Sequence, residues 1–161
     1  MPIMVKPVTL PSILKGAQNG KLGPCQLRPV HFPGLGDQSM TPAAGDAWDW
    51  MALTCKNETG ASLSTTWGGA YRSYDAQVNA FNQRMLPYYN PLTCTTITRI
   101  WNGKKYWLKR GKAPCATPGT SNHGWGLAVD AAIFTGKGIA TITAMPGVYK
   151  WLQDNADSFG F

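Results

Sequence analysis

The dipeptide Asn102-Gly103 constrains this chain most. It stands between two β-prone runs, "TTITRIW" and "KKYWLK". Asn-Gly tolerates the left-handed backbone angles that a two-residue turn requires, so the segment is expected to close as an antiparallel hairpin. Glycine (18) and proline (12) are frequent elsewhere, which disfavours a helix bundle. Helical and strand patterns come in blocks, not in regular βαβ alternation. The expected class is therefore α+β, a small antiparallel sheet with helices packed on it.

The helical patterns have physical boundaries. Thr41 is a candidate N-cap with Pro42 at the first helical position, and Gly60 stands beyond the end. Ala43, Ala47, Trp50, Met51 and Thr54 share a face of that helix, which makes Trp50 a core candidate. A second helix is expected from Tyr74 to Leu86, with Ser73 as cap, a stripe of Tyr74, Val78, Phe81 and Met85, and Pro87 as stop. "GLAVDAAIF" reads as one strand. A last helix is expected near Pro146, with Val148, Trp151, Leu152 and Asn155 or Ala156 inward. Residues 1–40, rich in Pro and Gly, read as an irregular N-terminal arm; residues 41–161 read as the domain proper.

The formal net charge is +7, which favours polyanionic partners in general. No nucleic-acid-binding motif accompanies it, so an anionic cell-wall polymer is the better candidate. Lys104, Lys105, Lys109 and Arg110 read as the solvated face of the hairpin. None of the four cysteines forms a C-x-x-C pair; two disulfides and four thiols both remain open. The proline-interrupted "MPIMVKPVTLPSILKG" does not read as a signal peptide, and no run reaches the ~20 apolar residues of a membrane span.

Two stretches carry chemistry. "SNHGWGLAVD" holds His123, one of two histidines, and Asp130 seven residues on. A straight strand would send them to opposite faces. Gly124 and Gly126 allow a bend that brings them together. Such a pair is either a structural hydrogen bond at a turn or two legs of a zinc site. "GGAYRSYDAQ" puts Arg72 just before a helix N-terminus, a setting for an anion.

Taken together, Tyr71, Arg72, Ser73, Tyr74 and Gln77, followed by Ser121, His123, Gly126, Ala128 and Asp130, resemble the motifs of the zinc D-alanyl-D-alanine carboxypeptidases and phage L-alanyl-D-glutamate endopeptidases. The resemblance spans roughly residues 40–161 and implies the hedgehog-like D,D-peptidase fold. It implies Zn2+ held by His123 and Asp130, and Arg72 as the catalytic and substrate-contacting group. Ser121 and Gln77 are implied as substrate-binding residues. The implied substrate is the peptidoglycan stem peptide, met by a phage endolysin or virion-associated enzyme in the cell-wall space. The family also uses a late glutamate base and a final histidine ligand. No histidine or glutamate follows Asp130. The domain is thus expected to be C-terminally incomplete, to be a non-catalytic wall-binding or virion module, or to recruit His31.

Overall fold

The computed structural model describes residues 3–4 and 10–161. Residues 1–2 and 5–9, at the start of the arm and of the segment weighed as a signal peptide, lie outside the described residues. In chain order the elements are β1 (Ile3–Met4), β2 (Arg28–Phe32), β3 (Gly36–Met40), α1 (Pro42–Thr59), β4 (Ser62–Thr65) and α2 (Tyr74–Arg84). There follow β5 (Met85–Leu86), β6 (Cys94–Trp101), β7 (Lys104–Lys109), β8 (Ala128–Val129), β9 (Ala131–Phe134), β10 (Ile139–Thr141) and α3 (Pro146–Asn155). The strands form small antiparallel sheets: β10-β9-β4, β5-β7-β6, β2-β3 and β1-β8. With the three α-helices among the described residues this is the α+β arrangement expected from the sequence.

The Asn102-Gly103 hairpin forms as its turn chemistry dictates, with φ of 49° and 74° at the two residues. It builds a satellite core, in which Phe81 from α2 meets Met85 and Leu108, with Trp101 and Tyr106 edge-on to its ring. Met85 and Leu86 leave the helix and pair with β7, so α2 ends two residues earlier than the apolar stripe suggested. Lys109 closes the helix end by donating to the carbonyls of Asn82 and Gln83.

The main core packs α1 and α3 against the β10-β9-β4 sheet and the β2-β3 hairpin. Two readings are corrected here. Residues 28–40 are a regular hairpin, and Val30, Phe32 and Met40 from it are fully buried. Alternation along β2 turns Val30 and Phe32 inward, a pattern that the flanking prolines obscure in the sequence. The second concerns α1, whose buried face is Ala44, Trp48, Met51 and Cys55, while Trp50 is 64% exposed. Both faces of α1 are apolar enough to fit the helical period. The side that carries Trp48 wins because Phe32 packs against it at a tilt and Phe161 meets it edge-on.

α3 buries Val148 and Leu152 as expected. All four cysteines are free thiols. Among the described residues no helix is long and apolar enough to cross a membrane.

Candidate functional site

His123 sits in a single 3-10 turn, Asn122–Trp125, instead of a strand. The Ser121 hydroxyl caps this turn by accepting from the His123 N–H at 3.3 Å. Gly126 ends it in the left-handed conformation, φ 62°. A side chain at Gly126 would also press on the Thr41 backbone. Gly124 is needed for a different reason, since a Cβ there would collide with the side chains of Asn19 and Gln77.

The turn is tied down from several directions. Asn19 donates to the Ser121 carbonyl at 2.7 Å, and Gly20 donates to the Gly124 carbonyl at 2.8 Å. Arg72 donates its N–H to the His123 carbonyl at 2.9 Å. Gly20 also accepts from Tyr74 N–H, so the arm reaches the α2 N-terminus as well. That end of α2 is therefore capped by the arm and by Ser73, whose hydroxyl accepts from Ala76 N–H. The anion-attracting group near it is the Arg72 guanidinium, not the helix end.

Asp130 lies between β8 and β9, where the strand expected over "GLAVDAAIF" breaks. Its N–H donates to Gly69, and its carbonyl accepts from Thr66 N–H and the Thr65 hydroxyl. These bonds shift the chain from one sheet to another at Asp130. The side chain is thereby turned toward His123.

The geometry between the two side chains is specific. His123 Nδ1 lies 2.9 Å from the Ala70 carbonyl, which can only accept, so Nδ1 carries the proton. Nε2 is then left with its lone pair in the neutral ring. It stands 3.5 Å from Asp130 Oδ1. The other carboxylate oxygen, Oδ2, accepts from the Arg72 guanidinium at 3.2 Å. Arg72 is held in turn by the Gly68 carbonyl at 3.0 and 3.3 Å. Burial opposes ionisation of Asp130, but the hydrogen bond and charge that His123 offers when its ring also carries a proton on Nε2, with the charge and hydrogen bond of Arg72, outweigh it. The carboxyl is held below its ordinary value.

The donor pair fits a divalent metal. Two ligands at zinc distances on a tetrahedral centre lie roughly 3.3 Å apart, close to the 3.5 Å found here. A protonated outer nitrogen bonded to a backbone carbonyl is also the usual way a ligating imidazole is oriented. Among the described residues there is no group of three His, Cys, Asp or Glu side chains able to hold a metal. His31 is 71% exposed on the β2-β3 hairpin and is paired with Asp37 at 3.0 Å. Glu58 accepts from the Trp151 indole on the α1–α3 side.

A cleft of about 570 Å³ opens over the pair. Arg72, Ser121, His123 and Asp130 all line it. Gln77 does not, being 5% exposed with its amide bonded to Asn19, the Arg72 carbonyl and the Gly119 N–H. It holds the loops that carry the site. Sequence reasoning missed Asn19 altogether, because a lone polar residue in "AQNGK" reads only as a turn. It also missed Arg84 and Arg99, which line the same cleft.

An α+β scaffold of small antiparallel sheets that sets His123, Asp130 and Arg72 around one cleft is a D,D-peptidase-like fold. The D-alanyl-D-alanine carboxypeptidase (VanY) family model matches residues 37–161, and the chain belongs to that family. The family is one of peptidoglycan peptidases of the D-Ala-D-Ala carboxypeptidase type. No curated protein and no solved structure matches the chain.

Proposed function

We infer that this chain is a zinc-dependent peptidase domain that hydrolyses peptidoglycan stem-peptide bonds beside D-amino acids. It acts as a D,D-carboxypeptidase or an L-alanyl-D-glutamate endopeptidase, in a phage endolysin or a virion-associated enzyme working in the cell-wall space. The observation that carries the reading is the 3.5 Å approach of His123 Nε2 to Asp130 Oδ1, with Nδ1 anchored on Ala70. His123 and Asp130 are the residues that would hold the ion. When bound, zinc lowers the pKa of a coordinated water toward ~7 and polarises a carbonyl.

The chain's own residues divide the rest of the work. Ala70 fixes the imidazole tautomer, so that the nitrogen facing the cleft is the one with a lone pair. Asp130 keeps Oδ1 toward His123 and uses Oδ2 to hold Arg72. Arg72 can then present its remaining N–H groups to a carbonyl on which negative charge develops, which lowers the barrier only as that charge appears. Ser121 sets the turn and lies on the cleft wall for substrate contact. The net charge of +7 favours dwelling on an anionic wall.

The test is release of new amino groups from purified peptidoglycan, with zinc supplied and with a chelator, for wild type and His123→Ala. Zinc-dependent release that the variant loses is expected. No release by the zinc-supplied wild type contradicts the reading. A second reading, a non-catalytic wall-binding or virion structural module on the same scaffold, draws on the two-ligand count among the described residues. It predicts stem-peptide binding with no amine release.

A further inference from the structure

Three guanidiniums, from Arg72, Arg84 and Arg99, line the cleft that holds His123 and Asp130. Among the described residues Asp130 is the only acidic side chain on its wall, so positive charge is in excess there. Arg72 is paired with Asp130. Among the described residues Arg99, on β6, is pinned by neutral acceptors only. Its Nε donates to the Cys115 carbonyl at 3.0 Å and its terminal nitrogen to the Thr98 carbonyl at 2.9 Å. The guanidinium of Arg84, the last residue of α2, makes no hydrogen bond or ion pair with any described residue, although the residue is only partly exposed. It also lines the neighbouring hollow beside Arg72, so it stands on the ridge between the two.

Cys115 lies on the same wall, and burial raises its thiol pKa while the charges of Arg84, Arg99 and Arg72 all pull it down. Like charges gathered in a partly dry concavity repel one another more strongly than they would in bulk water. An anion relieves that repulsion. The planar guanidinium fork matches a carboxylate best, through paired N–H donors.

We propose that Arg84 and Arg99 form a carboxylate-binding subsite that selects peptides carrying a second carboxylate, besides the terminal one, in the residues that precede the bond brought to His123 and Asp130. The choice of a stem peptide as ligand rests on the peptidase reading. The subsite itself rests on the guanidiniums alone.

The experiment uses the whole chain, made metal-free with a chelator, in low-salt buffer without phosphate. Two probes are titrated by calorimetry: γ-D-glutamyl-L-lysyl-D-alanyl-D-alanine with its glutamyl α-carboxylate free, and the same peptide with that group as the carboxamide. Wild type should prefer the acid by about tenfold or more, as expected for a charge-assisted pair. Arg84→Gln should bring the preference near unity while leaving affinity for the amide unchanged, and Arg84→Lys should keep part of it. Arg99→Gln also alters a loop contact, so it is read by the acid-to-amide ratio, which general loosening would leave untouched. Equal binding of the two peptides by wild type overturns the proposal, as does a ratio unchanged in both Gln variants. An intact preference without peptidoglycan turnover supports the subsite and contradicts the peptidase reading. Turnover without a preference does the reverse.

Discussion

His123 Nε2 stands 3.5 Å from Asp130 Oδ1, although the two are seven positions apart along the chain. A capped 3-10 turn and a left-handed glycine reverse the direction of the chain between them. A sheet change at Asp130 then aims the carboxylate back. The pair is therefore made by backbone devices, and each of them can be tested.

Gly124→Ala attacks the turn. The added methyl meets Asn19 and Gln77, both buried. Overpacking of this kind costs about 1–3 kcal/mol. Urea unfolding should register that loss, and the amide resonances of residues 121–126 should shift in the NMR spectrum. Unchanged stability and spectra would mean the turn has room that the packing denies it.

Asn19→Ala removes the bond to the Ser121 carbonyl and one of the two acceptors of the Gln77 amide nitrogen, leaving only the Arg72 carbonyl to it. Leaving a buried polar partner unsatisfied costs about 1–3 kcal/mol. Amide exchange should speed up in the His123 turn more than in α3. A uniform change, or none, would show that the arm does not secure the turn.

Trp48 and Trp50 separate the two faces of α1. Trp48 is 1% exposed and Trp50 is 64% exposed. Trp48→Ala should cost about 3–5 kcal/mol. Trp50→Ala should stay within about 0.5 kcal/mol. Chemical denaturation of both variants distinguishes this packing from its reverse.

Acid should weaken the metal-free protein partly through Asp130. Its folded pKa lies below the ordinary value of 3.8. A depressed carboxyl contributes stability that is fully present above the unfolded pKa and is lost as pH falls through the folded pKa. Asp130→Asn should be less stable near neutrality, and its stability should fall less steeply than wild type as pH drops below 3.8. Parallel pH profiles for the two proteins would remove the ionic role assigned to Asp130.

The sequence revealed most where structure is local. The Asn102-Gly103 turn, the Thr41-Pro42 start of α1 and the Ser73 cap of α2 are decided by neighbours a few residues apart. The bend at Gly126 was legible for the same reason, and so was the approach of His123 to Asp130, whereas Gly124 serves close packing against Asn19 and Gln77. What stayed hidden depends on distant partners. Trp48 is chosen over Trp50 by Phe32 and Phe161. Gln77 turns inward because Asn19, fifty-eight residues earlier, offers it an acceptor. Arg84 and Arg99 come to one cleft only when α2 and β6 pack around the loop at Cys115.

The most direct test of the central claim is a zinc titration of the metal-free chain, followed through the His123 ring resonances by NMR. Two protein ligands hold zinc weakly, so a saturable shift of that ring with modest affinity is expected, abolished by Asp130→Asn and reversed by chelator. Zinc that binds without moving the His123 ring, or binds equally well to Asp130→Asn, would contradict a shared metal site.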